Sequence, residues 1–301
     1  MVYVSAHDNE TLFDAIQYKA PLALSMQERV RMQNLALDLV AYAQGVPFFH
    51  AGSEILRSKS LARDSYDSGD WFNALDWTYQ DNNWGHGLPP KDKNGSNWEL
   101  MAQLLANPAL KPAPEDMQFS LAHFETALQI RKSSPLFRLQ TAEQVIQRVR
   151  FLNTGPQQIP GLIVMQLTDD PQARLDPQYD RIFVLFNAAP GETTFTLPAD
   201  SAMDGLRLHP LLADGPDPVA RQAAFDPATQ TFTIPGRTTA VFVHNNPAPQ
   251  PTPQSGETTT YLPAAPGGAG TPYQPSPWWP YLVGGALLLG ALILGFSRKK
   301  R

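Results

Sequence analysis

Apolar positions first repeat at helical spacing in SMQERVRMQNLALDLVAYAQG, residues 25–45. Val30, Leu37 and Ala41, joined by Met32, Leu35, Leu39 and Val40, form a wide apolar face. A period near 3.6 predicts a helix. Ser25 and Glu28 stand at capping-box spacing, where each side chain satisfies a free amide at the helix start. Gly45 and Pro47 predict its end. The short apolar runs on either side, VYV at 2–4 and VPFFHAG at 46–52, read as buried strands. The order is then strand, helix, strand. A second helix is predicted over residues 115–135, with Phe119, Phe124, Leu128 and Ile130 as its apolar positions and Pro135 as its stop.

Residues 52–115 between these helices show no period. A loop that long is usually functional or disordered. Trp71, Trp77, Trp84 and Trp98 argue against disorder, because disordered segments are poor in aromatics. From about Leu136 the pattern changes. VIQRVRF, GLIVMQL, RIFVLFN, TTFTLP, LRLHPLL, TFTIP and TAVFVHN are short β-type runs parted by Gly, Pro, Asp and Asn. They predict an antiparallel β-sandwich. Nine prolines then fall between Asn246 and Pro277, which predicts an extended linker. Residues 282–296 carry no charge, Trp278, Trp279 and Tyr281 precede them, and Arg298-Lys299-Lys300-Arg301 follow. An apolar stretch between an aromatic belt and a basic stop predicts one transmembrane helix over 278–297. The basic tail, 298–301, is expected in the cytoplasm and the body outside the cell, held at the cell membrane.

Composition narrows the chemistry. The 301 residues carry a net charge of −5, and the only basic cluster is the C-terminal one, so no nucleic-acid partner is expected. Cysteine is absent, which excludes disulfides and thiolate metal sites. His7, His50, His86, His123, His209 and His244 are scattered, with no H-E-x-x-H pair. No phosphate-binding glycine loop occurs. No cofactor and no metal ligand set is predicted, and no oligomer is indicated.

Two stretches could carry chemistry. In YVSAHDNETLFD, a His7–Asp8 pair follows a predicted strand end, where α/β enzymes keep their sites. Spacing alone favours a plain Asx-type turn with His7 at the surface. LARDSYDSGDWFNALDWTYQDNNWGHGLPP mixes Asp, Asn and Arg with Tyr, Trp and Phe. Sugars present hydroxyls on their edges and C–H groups on their faces, so such a mixture suits a sugar pocket. Packing of a Trp-rich loop is the other explanation. Arg63 could meet a sugar hydroxyl or a carboxylate, or form a structural ion pair with Asp64 or Asp67.

YVSAHDNETLFD resembles the fourth conserved region of the α-amylase superfamily in its pullulanase-type form. LRSKSLARDSYDSGDWFNALDWTYQDNNWGHGLPPKDKNGSNW resembles the segment after the eighth barrel strand of pullulanases and limit dextrinases. RKSSPLFRL, QRVRFLNTGPQQIPGLIVM and FTIPGRTTAVFV resemble their C-terminal β-domain. The likeness runs from Val2 to about Val243 and leaves out the linker and the tail. It implies an α/β plus all-β chain: the last quarter of a (β/α)8 TIM barrel in 1–134, a β-sandwich in 135–245, then the linker 246–277. It also implies a retaining glycoside hydrolase acting on the α-1,6 branch linkages of an α-glucan. Two carboxylates do that work, one attacking the anomeric carbon and one protonating the leaving oxygen. Asp8 matches a third carboxylate, which stabilises the transition state, and His7 matches its sugar-binding neighbour. Arg63, Asp67 and Trp71 are the further substrate-binding candidates. The nucleophile and acid motifs lie upstream of the His-Asp pair in that family. The chain is therefore expected to be the C-terminal portion of a longer enzyme, inactive by itself. Glu10, Asp14 and Glu54 are available carboxylates outside those motifs. The alternative is a non-catalytic, membrane-anchored glucan-binding scaffold. Calcium in upstream domains stays open.

Overall fold

A computed structural model describes residues 1–66 and 68–246. Asp67, the proline-rich linker and the predicted membrane span lie outside the described residues. Helix α1, Leu12–Lys19, starts where Thr11 Oγ1 accepts the Asp14 amide at 3.1 Å. Helix α2, Met26–Tyr42, starts at the expected capping box. Ser25 Oγ accepts the Glu28 amide at 3.3 Å, and Glu28 Oε2 accepts the Ser25 amide at 3.0 Å. The helix stops at Tyr42, three residues before the left-handed Gly45.

The two runs read as buried strands are not. Val2 and Pro47 form one isolated parallel bridge, held by Val2 N–H to Val46 O at 2.9 Å and Phe48 N–H to Val2 O at 2.8 Å. Tyr3 is 56% exposed and Phe48 44%. Parallel strands become buried when neighbours and helices cover them. Among the described residues, each of these runs has only the other as a bridge partner, although Phe49 packs on Phe124 with ring centroids 4.8 Å apart.

Residues 52–113 are ordered around their own core. Short helices α3, Lys91–Asn94, and α4, Trp98–Leu105, punctuate the stretch. Leu56, Leu61, Trp84, Met101, Leu104 and Leu110 pack with Phe13 and Val30 beneath it. Helix α5, Pro114–Ser133, follows, with proline at its first turn, where a missing N–H costs nothing. Its buried residues are Met117, Ser120, Ala127, Ile130 and Arg131. Of the predicted face, Ile130 is buried and Leu128 is exposed.

The run VIQRVRF is half helix. Helix α6, Ala142–Arg148, precedes strand β1, Val149–Phe151. Thr141 Oγ1 accepts the Gln144 amide at 3.2 Å and Gln144 Oε1 accepts the Gln140 amide at 2.8 Å. These bonds start a helix where apolar alternation suggested a strand. Then come β2, Leu162–Thr168, β3, Tyr179–Asn187, β4, Thr193–Thr196, and β5, Arg207–Leu208. LRLHPLL breaks at Pro210, where helix α7, Pro210–Ala213, begins. Strands β6, Ala224–Asp226, β7, Thr231–Ile234, and β8, Thr238–Asn245, complete the set. Strand β6, only three residues long, has no counterpart among the β-type runs of the sequence.

All pairings are antiparallel, in one sheet of order β1-β2-β3-β8-β5 and another of order β4-β7-β6. Strand side chains alternate between faces. On one face of the larger sheet Ile182, Val184, Phe186, Val241 and Val243 pack against Tyr42 and Ala41 of α2 and Ala127 and Ile130 of α5. On the other, Phe183, Leu185, Ala240 and Phe242 meet Phe232 and Ile234 of the smaller sheet. The central strands β3 and β8 are thus covered on both faces, which explains their unbroken apolar runs. Among the described residues no helix is long and apolar enough to cross a membrane.

Helices and larger sheet share one core, and Ile130 sits within it at 0% exposure. Ile130→Ala should cost about 3 kcal/mol, the usual range for a large-to-small core change. Urea unfolding followed by far-UV circular dichroism and by tryptophan fluorescence should shift together. Two separated transitions would show that the layers unfold independently.

Candidate active site

The loop between the Val2 bridge and α1 carries His7 and Asp8. Asn9 follows in the left-handed region, at φ 60°, a conformation asparagine tolerates better than most residues. His7 Nδ1 lies 3.1 Å from Asp8 Oδ1, and the two side chains are 87% and 82% exposed. Both imidazole and carboxylate are therefore presented to solvent as a pair.

A buried polar support lies under this loop. Lys59, 1% exposed, donates from Nζ to the His7 carbonyl at 3.1 Å and to Ser65 Oγ at 3.3 Å. Asp14, counted in the sequence among the available carboxylates, is fully buried. Its Oδ1 accepts from Ser58 Oγ at 2.5 Å and its Oδ2 from the Lys59 amide at 2.8 Å. Burial pushes the Asp14 carboxyl up to about 6, against the opposing pull of those hydrogen bonds. The backbone here is contorted: Leu56, Ser60 and Leu61 all have positive φ. Such residues cost about 1–3 kcal/mol each and persist where surrounding contacts over-determine them.

Among the described residues Arg63 does not pair with Asp64. Its Nε meets Glu10 Oε1 at 2.9 Å, which ties residues 58–66 to the His7–Asp8 loop and engages a second carboxylate counted as available. Asp64 pairs instead with Lys93. Trp71 lies in a single 3-10 turn, Asp70–Phe72, stacked on the buried Phe72 with ring centroids 3.7 Å apart. It is 46% exposed, so one indole face is available as a platform. A contact chain joins it to the loop: Lys59 Nζ to Ser65 Oγ, then Ser65 Oγ to Asn73 Oδ1 at 3.4 Å, two residues after Trp71. Asp67 lies outside the described residues.

His50 backs the site. Arg57 can only donate, so His50 Nε2 accepts from Arg57 Nη1 at 3.0 Å and the ring proton sits on Nδ1, 3.4 Å from Ser5 Oγ. Burial, then the Arg57 and Lys59 charges, push His50 down to about 4. It is a neutral structural imidazole at physiological pH. A cleft of about 470 Å³ lies elsewhere, lined by Leu39, Phe151 and Ile163, with no acid or base. The titratable pair lies on the His7–Asp8 surface, outside that cleft. Among the described residues no His, Asp and Glu group is placed to hold a metal ion.

Residues 79–245 match the family of alpha-1,6-glucosidases, pullulanase-type, C-terminal. The chain belongs to that family. This pullulanase-type chain is 51% identical over 249 residues to Pullulanase 1, chloroplastic, of Arabidopsis thaliana, covering 81% of the chain and 26% of the relative. It is 45% identical over 194 residues to a pullulanase of Klebsiella pneumoniae, covering 64% of the chain and 18% of the relative. Among solved structures, apo pullulanase from Klebsiella pneumoniae superposes with a TM-score of 0.76 at 40% identity, over 82% of the chain and 27% of that structure. The maltotriose complex of PulA from the same organism gives a TM-score of 0.76 at 40% identity, over 82% and 26%. The chain thus spans about a quarter or less of the length of these relatives.

The buried carboxyl gives a pH test. Asp14 is raised in the folded state above its ordinary value of 3.8, so its contribution to stability is complete below about pH 4 and is lost as pH rises through about 6. Asparagine does not titrate. The stability of the native chain relative to Asp14→Asn should therefore fall by up to about 3 kcal/mol from pH 4 to pH 7, at 1.36 kcal/mol for each pKa unit. Paired urea titrations check this. A constant difference across the window would mean that the Asp14 carboxyl is not raised in the folded chain.

Proposed function

We propose that the chain is the C-terminal part of a retaining glycoside hydrolase that cleaves α-1,6 branch linkages in pullulan, starch, glycogen or limit dextrins. The observation that carries this reading is the 51% identity over 249 residues to a chloroplastic pullulanase. Asp8 is the carboxylate that holds sugar hydroxyls and stabilises the transition state. His7 is its partner on a neighbouring hydroxyl. Trp71 offers an indole face to sugar C–H groups. Arg63 uses Nε on Glu10 and offers its Nη donors, and Asp67 completes the set. Supporting this is the exposure of the His7–Asp8 pair and of Trp71 on segments joined by Lys59, Ser65 and Asn73.

In this reading residues 1–134 are the last quarter of a (β/α)8 barrel. The parallel bridge of Val2 with Pro47, the helices α1 and α2 between its two sides and the uncovered Tyr3 and Phe48 favour it. Residues 135–245 are the β-sandwich domain, favoured by two antiparallel sheets with a shared core. The nucleophile and the general acid come from outside this chain. Residues 246–277 are the linker, 278–297 span the cell membrane once, and 298–301 face the cytoplasm, so that the body meets polymeric glucan outside. These last assignments rest on sequence pattern alone.

Two outcomes are expected. The chain alone should release no reducing sugar from pullulan. Release that is abolished by Asp8→Ala would place the whole machinery within it. Maltotriose titrated into the ¹⁵N-labelled chain should shift the Asp8 amide, the Arg63 side chain and the Trp71 indole. Asp8→Asn should raise the Kd about tenfold, or about 1.4 kcal/mol, a modest value for a hydrogen bond to a charged group. Shifts confined to other surfaces would remove these residues from the sugar site.

A further inference from the structure

We propose that Lys59 is a positioning residue for the His7–Asp8 pair, its ammonium fixing the loop from below. The inference rests on the sugar-binding reading of that pair and adds the group that orients it. His7 and Asp8 are almost wholly exposed, and their contact with each other does not orient either relative to the body. The loop's backbone is held instead by Lys59 Nζ on the His7 carbonyl. The ammonium's other acceptor, Ser65 Oγ, passes its own proton towards Asn73 Oδ1, so both contacts run from the cation outward.

A buried ammonium is costly unless it is paired and hydrogen-bonded. An apolar side chain of similar length would fill the space without that cost. What lysine adds is a point charge with three donors at the end of a thin stem. The charges facing it are arranged around this use. Asp14 accepts its backbone amide, and burial and the Arg57 charge disfavour the ammonium while the Asp14, Asp8 and Glu10 charges favour it. Ser58 Oγ accepts the Ser60 amide at 2.9 Å, and the left-handed Ser60 and Leu61 follow, which fixes the direction in which the lysine enters the interior. Arg63 to Glu10 anchors the far end of the same loop. The loop is therefore gripped at residues 7 and 10, with Asp8 and the left-handed Asn9 between the two points.

The chain contains no cysteine, so Lys59→Cys introduces a unique thiol. Aminoethylation of that thiol in denaturant, followed by refolding, rebuilds an ammonium of nearly the same length. Two readouts are taken: amide hydrogen exchange at His7, Asp8 and Asn9, and the Kd for maltotriose. Lys59→Met and the unmodified Lys59→Cys should exchange at least tenfold faster at those amides and bind maltotriose about tenfold more weakly. Amides of β3 and β8 should be unchanged, and aminoethylation should restore both readouts. Native values in Lys59→Met would overturn the proposal. So would uniform loosening that extends to the core around Trp84. If the variants do not fold, the native chain decides. Its Lys59 ammonium should give a protected NMR signal with scalar coupling to the His7 carbonyl carbon, and absence of that coupling overturns the proposal. If the native chain shows no maltotriose binding while the exchange effect is present, the sugar reading fails and the support by Lys59 stands.

Discussion

The structure depends on covering one face of the five-stranded sheet with α2 and α5. Ile182, Val184, Phe186, Val241 and Val243 would otherwise meet water. Tyr42 at the end of α2 forms the centre of the seam, 5.5 Å from the Phe137 ring and 6.3 Å from the Phe186 ring. Arg131 of α5 closes the helix end, donating to the carbonyls of Ala41, Ala43 and Gly45 at 2.7, 2.8 and 3.0 Å. A helix leaves its last carbonyls unpaired. Here a side chain from the neighbouring helix satisfies Ala41 and the cap residue Ala43, so that packing and capping depend on the same contact.

Polar contacts fix the register of this seam. Arg31 of α2 grips Asp217 with Nη1 and Thr238 of β8 with Nη2. Glu28 reaches Arg237 just before β8. Asp38 receives His123 of α5 at 3.0 Å, and although burial opposes the charged ring, the Asp38 carboxylate raises His123 overall. Pairs of this kind gain little net stability once desolvation is counted, but breaking one partner is costly. They act here as register pins between helices and sheet, set among apolar contacts that would tolerate sliding.

What could be read in the sequence follows the range of the forces involved. The capping box at Ser25 and Glu28 is local, and it formed as read. The runs that became β3 and β8 are apolar without interruption over 182–186 and 240–243, because both strands are covered on both faces. The start of α6 was also local, in Thr141 and Gln144, but alternating apolar residues from Val145 masked it. Val2 and Pro47 show the opposite failure: their residues suit a buried strand, and burial is decided by neighbours that no local pattern supplies. The site divides the same way. His7, Asp8 and Trp71 are candidates that motif and residue type nominate. Lys59 and Asp14 could not be found this way, since a charged side chain is normally a surface residue and their pairing joins positions 45 apart in sequence.

The anchoring of residues 43–113 at both ends, by α2 and by α5, bears on how this surface can evolve. Those residues leave the seam at one helix and return at the next, and around Trp84 they form a small core with Phe13 of α1, Val30 of α2 and Met117 of α5. Lengthening a closed loop adds little entropy cost, about 0.6 kcal/mol for each doubling. Insertions or exchanges of exposed aromatics between Gly69 and Pro89 therefore leave the helix–sheet interface thermodynamically untouched. Exposed side chains can be exchanged there residue by residue while the scaffold keeps its stability, which makes this segment the adaptable part of the molecule and the seam its fixed part.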